Sequence, residues 1–342
     1  IERERVLALK KKIRLKNKNK QKNVPMNSLK TLFLMPVLAL LSVSLFANTD
    51  TTFVETKVNL QTPGGTIYGT LTTPVTNNQM PVALIIAGSG PTDRDGNNVK
   101  MKNNSLKILS EELAKQGIAS LRYDKRGIAE SKDAGKSEAD LRFDDYIADA
   151  AGWIEMLKKD KRFSQVIVIG HSEGSLIGMI AAAKADKFVS VAGAGRSIDK
   201  VLKQQLSAQP KEIQDISFPI IDSLKAGKTV ADAPAMLYAL FRPSVQPYMI
   251  SWFKYDPATE IKKLSIPVLI IQGTNDIQVS VEDAKLLSAA KPQAGFILIE
   301  NMNHIFRIVT GDRQANMVTY GNPELPISNE LVKGISDFIL KK

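Results

Sequence analysis

The chain has 342 residues, 44% of them hydrophobic, which is enough for one large hydrophobic core or two ordinary domains. It contains no cysteine, so disulfides, thiol nucleophiles and thiolate metal sites are excluded. With only two histidines a zinc site is not expected either, and the sequence predicts neither a metal nor a cofactor.

The formal net charge of +11 is concentrated at the beginning of the sequence. Residues 1–30 contain eleven lysines and arginines and two glutamates, which leaves a net charge of only +2 for the remainder. This basic arm has no interleaved aromatic residues, so we expect a solvated tail and no binding to nucleic acid. Residues 1–25 are interpreted as an extension outside the fold.

A second signal begins at Met26. A short basic start is followed by an almost wholly apolar stretch, residues 31–47, and then by polar residues. This order predicts a secretory signal peptide over residues 26–47, cleaved after Ala47 or, alternatively, after Ser44. The protein is then expected to be secreted or periplasmic. The alternative is an uncleaved segment that anchors it to a membrane.

Short apolar runs and amphipathic runs alternate along the rest of the chain. Residues 53–60 and 65–73 alternate in polarity and predict an antiparallel hairpin. The later runs predict strands at 82–87, 119–123, 165–170, 188–192, 266–272 and 295–300, and helices at 105–116, 143–159, 175–184, 281–290 and 328–340. Strands that alternate with helices predict an α/β fold: a mostly parallel sheet with helices on both faces.

No strand is predicted between residues 196 and 265. This segment is rich in methionine, aromatic residues and proline around residues 236–255. We therefore expect residues 196–265 to form a helical cap inserted into a core made of residues 48–195 and 266–342.

Residues 170–174 read Gly-His-Ser-Glu-Gly, where a buried strand gives way to a helix. The turn between these two elements must be abrupt, and Gly170 and Gly174 remove the side chains that would collide with the neighbouring backbone. This is the pattern of a nucleophile elbow, which lifts the hydroxyl of Ser172 above the carboxyl end of the sheet.

A serine hydroxyl attacks at neutral pH only when a base accepts its proton, and histidine suits that role. His171 adjoins Ser172 along the chain, so we expect its side chain to point away and to be structural. His304 follows the last predicted strand, at the same edge of the sheet as Ser172, and is the predicted base.

The base needs a carboxylate to fix its tautomer. Asp276 follows the preceding predicted strand, and adjacent strand ends would bring it to His304. Asp222 and Asp256 fall in the predicted cap and are placed less well for this role. The order Ser172, Asp276, His304 is the order expected for this fold.

A tetrahedral oxyanion needs two backbone donors. We expect one to be the amide of Glu173, beside the nucleophile. The other is predicted to be the amide of Ser89, in the glycine-rich loop after the strand at 82–87. In that loop we expect Asp93 and Arg94 to pair with each other.

Taken together, these stretches resemble the α/β-hydrolase superfamily, and within it the bacterial carboxylesterases of the serine-aminopeptidase-like branch, over roughly residues 53–341. The matching stretches are 88–97 (Gly-Ser-Gly-Pro-Thr-Asp-Arg-Asp-Gly-Asn), 123–127 (Tyr-Asp-Lys-Arg-Gly), 170–174, 272–276 (Gln-Gly-Thr-Asn-Asp) and 301–304 (Asn-Met-Asn-His). The resemblance implies Ser172 as nucleophile, His304 as base, Asp276 as acid, and short-chain acyl esters as substrates.

Two other functions stay open at this point. An aminopeptidase or acyl-peptide hydrolase would need an acidic group to hold the substrate amine, for which Glu173 or a cap carboxylate is a candidate. A catalytically silent hydrolase fold used for binding is the alternative outside enzymes. The expected partner is a small-molecule ester, with membrane contact only through an uncleaved leader, and the sequence leaves the oligomeric state open.

Overall fold

An eight-stranded sheet runs through the centre of the computed structural model, which describes residues 52–135 and 137–341. The predicted basic extension (1–25) and signal peptide (26–47) lie outside the described residues. Within the described ranges, no helix combines the length and the apolar composition that a membrane crossing requires.

The strands are five to ten residues long. In chain order they are β1 (Phe53–Thr62), β2 (Gly65–Pro74), β3 (Met80–Ile86), β4 (Ala119–Tyr123), β5 (Phe163–His171), β6 (Lys187–Val191), β7 (Val268–Gly273) and β8 (Gly295–Ile299). Their spatial order is β1-β2-β4-β3-β5-β6-β7-β8. The β1–β2 and β2–β4 pairs are antiparallel and the other pairs are parallel, so the predicted hairpin and mostly parallel sheet are confirmed.

The helices fill the connections between the parallel strands. In chain order they are α1 (Ser105–Lys115), α2 (Phe143–Lys159), α3 (Glu173–Ala181), α4 (Ile198–Leu206), α5 (Lys211–Lys225), α6 (Tyr238–Phe241), α7 (Gln246–Trp252), α8 (Pro257–Lys263), α9 (Val281–Ala290), α10 (Arg313–Thr319) and α11 (Asn329–Leu340). The sequence did not predict α10, because seven residues show too little periodicity. Helix α3 begins directly after Ser172, two residues earlier than predicted.

The central strands are buried on both faces, as parallel strands between two helical layers must be. All seven residues of β3 are buried. Leu84 packs in one apolar cluster with Trp153 of α2, while its neighbour Ile85 belongs to a second cluster with Leu109 of α1 and Ile335 of α11. Alternate side chains of one strand thus pack against helices on opposite faces of the sheet. This packing holds the carboxyl ends of the strands in place.

The segment predicted to form the cap contains helices α4 to α8, and no strand lies between β6 and β7 in the described chain. It is fixed to the start of α2 through Phe143. The Phe143 ring stacks on Trp252 with centroids 5.6 Å apart and planes at 4°, and the Phe143 amide donates to Ser251 Oγ at 2.7 Å. One face of α7 is thereby held against the core.

The expected pairing of Asp93 with Arg94 is wrong. Arg94 Nη2 lies 2.6 Å from Asp124 Oδ2 and 2.6 Å from Glu130 Oε2, while Asp93 Oδ1 accepts the amides of Asp95 and Asn97. Asp93 therefore closes its own loop, an Asx-type turn that the sequence permits. Arg94 instead anchors that loop to the residue after β4.

The two carboxylates that share Arg94 differ in burial, which predicts unequal effects on stability. The side chain of Asp124 is 2% exposed and that of Glu130 is 48% exposed. We expect Asp124→Asn to lower the free energy of unfolding by about 3 kcal/mol, since it leaves a buried guanidinium under-compensated. Glu130→Gln should lower it by less than about 1 kcal/mol. Urea unfolding of both variants measures this, and equal losses would contradict it.

Candidate active site

Ser172 lies at the junction of β5 and α3 with a positive φ of 55° and ψ of −119°. Few residues other than glycine adopt a positive φ, and such strain is typical of functional positions. The Ser172 amide donates to Val191 O of β6 at 3.0 Å, which ties the turn to the neighbouring strand. The hydroxyl is therefore held at the carboxyl edge of the sheet.

The two glycines that flank this turn are required for different reasons. A Cβ at Gly170 would overlap the carbonyl oxygen of Gly174, in the first turn of α3. A Cβ at Gly174 would overlap the carbonyl oxygen of Ile86, at the end of β3. The elbow thus needs glycine both to bring the strand and helix together and to let the helix approach β3.

The structure brings Asp276 and His304 together at the ends of β7 and β8. His304 Nδ1 lies 2.7 Å from Asp276 Oδ2, and both side chains are at most 5% exposed. A carboxylate accepts, so Nδ1 carries the hydrogen and Nε2 is left to accept a proton. This is the tautomer that a general base requires.

Asp276 is held as an anion by more than the imidazole. Burial alone would raise the pKa of Asp276, but His304 and the amides of Val279 and Gln278 outweigh it and bring the pKa below its usual value. Oδ1 accepts both amides, and Oδ2 also accepts from Gln272 Nε2 at 3.1 Å. Each carboxylate oxygen therefore has two donors, which fixes its orientation toward the ring.

Ser172 and His304 lie at the same edge of the sheet, but their side chains are not hydrogen-bonded to each other. Among the described residues, Ser172 Oγ makes no hydrogen bond to His304 Nε2. His171, the neighbour of Ser172, has its ring centroid 4.7 Å from that of His304. Contacts between a nucleophile and its base often shorten only when substrate binds, so this geometry is compatible with catalysis.

His171 supports the loop that carries His304. Its Nε2 lies 2.9 Å from the carbonyl oxygen of His304, and since a carbonyl only accepts, Nε2 carries the hydrogen. Burial, with the nearby His304, lowers the pKa of His171 to about 3. The ring is therefore neutral at neutral pH and acts as a fixed donor.

Helix α10, which the sequence did not predict, contacts both the loop that carries Asp276 and the loop that carries His304. Asn316 is fully buried, accepts from Asn303 Nδ2 at 3.0 Å and donates to Asn275 O at 2.7 Å. Asn303 and Asn275 each precede a residue of the predicted triad. The only sequence signal for this role of Asn316 is the asparagine content of these loops. That content does not indicate which residue each asparagine would bond.

The two predicted oxyanion donors lie on either side of Ser172. Glu173 is the first residue of α3, where an amide has no acceptor within the helix. The loop after β3 approaches from the other side: a Cβ built on Gly88 would lie 3.2 Å from Ser172 Cβ. Ser89, the next residue, lines the same cavity as Ser172.

A cavity of about 890 Å³ opens above the elbow. Its floor includes Ser172, and its far wall includes Tyr248, Met249 and Trp252 of α7. This volume suits a small organic molecule. Among the described residues, no cluster of three or more histidine, aspartate or glutamate side chains is arranged to hold a metal ion.

Comparison with known proteins agrees with this architecture. The sequence profile described as "Serine aminopeptidase, S33" matches residues 103–224. Esterase EstD of Thermotoga maritima is 27% identical over 267 residues, or 74% of this chain, and the match spans 60% of EstD. Est1E of Butyrivibrio proteoclasticus superposes with a TM-score of 0.54 at 17% identity, over 84% of this chain and 99% of Est1E. The esterase Pf2001 of Pyrococcus furiosus gives 0.50 at 14% identity, over 84% and 92%.

The structural neighbours show that the chain has the α/β-hydrolase fold, so the predicted fold class is confirmed. The profile match supports the predicted serine-aminopeptidase-like branch over residues 103–224. The chain covers less than two thirds of EstD, and its likeness to the solved structures concerns the fold alone.

The buried neutral His171 predicts a specific dependence of stability on pH. Its folded pKa is about 3, below the ordinary value of 6.5, so the unfolded chain binds the proton more readily between these values. The stabilisation by neutral His171 is complete above pH 6.5 and declines as the pH falls toward 3. From pH 7 to pH 5 the loss should be about 2 kcal/mol.

The measurement compares the free energy of unfolding of wild type and His171→Gln at pH 7 and pH 5. Glutamine keeps a donor for the carbonyl oxygen of His304 but does not titrate. The advantage of wild type over the variant should shrink at pH 5. An advantage that is the same at both pH values would contradict the buried neutral state.

Proposed function

We propose that the protein is a serine hydrolase that cleaves carboxylic esters through an acyl-enzyme at Ser172. The observation that carries this proposal is the Asp276–His304 pair, whose tautomer leaves Nε2 free at the rim where the strained elbow presents Ser172. Two of the similar proteins, EstD and Pf2001, are named as esterases, which supports the same reaction class.

In the acylation step, Ser172 Oγ attacks the ester carbonyl carbon while its proton passes to His304 Nε2. The carbonyl π electrons move to oxygen, and the amides of Glu173 and Ser89 stabilise the resulting oxyanion. The intermediate collapses when the bond to the alcohol oxygen breaks and His304 returns the proton to that oxygen. Asp276 stabilises the imidazolium throughout.

Water then takes the place of the alcohol. His304 Nε2 accepts a proton from water as its oxygen attacks the acyl carbon, and a second oxyanion forms in the same position. When this intermediate collapses, the bond to Ser172 Oγ breaks, His304 reprotonates the serine, and the carboxylic acid leaves. The residues named here suffice for the cycle.

The cavity supports a largely neutral substrate. Four of the five lysine and arginine side chains that line it are paired with carboxylates of the protein: Lys125–Glu173, Arg126–Asp149, Arg196–Asp283 and Arg242–Glu138. Short-chain acyl esters remain the expectation from the family resemblance, while about 890 Å³ also admits larger acyl or alcohol groups.

The contacts of Glu173 disfavour the aminopeptidase alternative. Glu173 is one of the two candidates for holding a substrate amine, beside a cap carboxylate, but its Oε2 accepts from Lys125 at 2.6 Å and its Oε1 accepts from Tyr248 at 2.5 Å. The side chain is 2% exposed. An amine would have to displace a buried ion pair to reach it, so we favour esters over aminoacyl substrates.

Replacing the nucleophile is the direct test. Ser172→Ala should lower kcat for p-nitrophenyl butyrate by about 10⁵-fold or more, because no hydroxyl remains to form the acyl-enzyme. A fluorophosphonate probe should label wild type at Ser172 and leave the variant unlabelled. A wild-type protein that resists the probe would favour the catalytically silent alternative.

Ser175→Ala is a matched control, since Ser175 is a buried serine one turn further along α3 that bonds Ser190 Oγ at 2.7 Å. This variant should keep kcat within a few fold of the wild-type value.

Hydrolysis of aminoacyl p-nitroanilides by the wild-type protein, at rates comparable to those of the esters, would contradict the preference for esters.

A further inference from the structure

Lys125 is a buried lysine that the mechanism above does not use. It lies two residues beyond the end of β4, and its side chain is only 1% exposed. Its ammonium donates to Gly88 O at 2.6 Å and to Glu173 Oε2 at 2.6 Å. Gly88 belongs to the loop after β3, and Glu173 is the first residue of α3, directly after Ser172.

The bond to Gly88 O has a geometric consequence for Ser89. Gly88 C=O and Ser89 N–H are the two polar groups of one peptide unit, which is planar and places them on opposite sides. Holding the oxygen therefore fixes the direction of the N–H. Lys125 thus orients the Ser89 amide without touching anything that the amide binds.

The bond to Glu173 acts on the second donor. The carboxylate of Glu173 is fixed by Lys125 on one oxygen and by Tyr248 of α7 on the other, at 2.5 Å. The backbone amide of the same residue is the donor beside the nucleophile. One ammonium therefore links the peptide of one oxyanion donor to the side chain of the other.

The burial of this network makes it rigid. A buried ammonium is stable only when its hydrogens are engaged, because desolvation is expensive. Besides its two acceptors, Lys125 Nζ lies 4.9 Å from the ring centroid of Tyr146, a cation–π distance. Burial, together with the charge of Glu173, raises the pKa of Tyr248, so its hydroxyl stays a donor.

We propose that Lys125 is the positioning residue of the oxyanion hole: its ammonium sets the direction of the Ser89 amide and its spacing from the Glu173 amide. This inference rests on the proposed function. The alternative is an ion pair that stabilises the fold and leaves catalysis unaffected.

The test uses three variants and separates these two roles. Lys125→Met removes the ammonium. Lys125→Met with Glu173→Gln also removes the unpaired carboxylate while keeping the Glu173 backbone amide. Lys187→Met is a matched control, since Lys187 Nζ likewise donates to backbone carbonyls, those of Phe338 and Ile339, and begins β6 at the opposite end of the strand from the site.

The readouts are kcat and KM for p-nitrophenyl butyrate, the inhibition constant of a trifluoromethyl ketone that forms a tetrahedral adduct with serine, and urea unfolding. Lys125→Met should lower kcat by about 10²- to 10³-fold, the usual effect of losing one oxyanion donor. KM should change by less than about threefold. The inhibitor should weaken in step with kcat, since its oxyanion uses the same amides.

The double variant should regain stability but not kcat, because nothing holds Gly88 O. Lys187→Met should lose stability and keep kcat. A Lys125→Met enzyme with unchanged kcat and inhibitor affinity, or a double variant that regains both stability and kcat, would reduce Lys125 to a structural ion pair. A wild-type protein that cleaves no ester would overturn the proposed function as well.

Discussion

The backbone conformation of Ser172 is the constraint on which the rest of the site depends. A serine at positive φ costs of the order of 1–3 kcal/mol and persists only where its surroundings over-determine it. Three adjacent strands do so: β5 enters the turn, β6 accepts the Ser172 amide, and the end of β3 lies against Gly174. The sheet therefore sets where the hydroxyl stands, and the partners must come to it.

Buried polar contacts help to place those partners. Asn316 bonds both the loop after β7 and the loop after β8, and His171, the neighbour of Ser172, bonds the backbone of His304. Such contacts have strict geometry, and a missing partner is expensive in a buried site. The Asp276–His304 distance is therefore specified by residues that need not touch substrate.

The difference between regular apolar patterns and individual buried polar contacts explains how much of the structure could be predicted from sequence. Strand and helix periodicity located β4, α2 and α9 to the residue, because those segments bury a regular apolar pattern. The strand ends then brought residues 276 and 304 to one edge. The roles of Lys125 and Asn316, and the true partner of Arg94, could not be found, since they are pairings between distant buried groups that leave no periodic trace.

In the cavity, the atoms that would bind a substrate differ from the atoms that would take part in the reaction. Four of the cations in its lining are paired with carboxylates of the protein, and Tyr248 of the cap segment donates to Glu173. A substrate entering there meets mainly apolar surface, including Met249 and Trp252, so its affinity should come from burial of apolar area. In the proposed mechanism the oxyanion is stabilised instead by backbone amides, which bind negative charge only as it develops. Binding and catalysis then depend on different atoms. Helix α7 contributes to both, because it lines the cavity and because its Tyr248 bonds the Glu173 carboxylate that Lys125 also contacts.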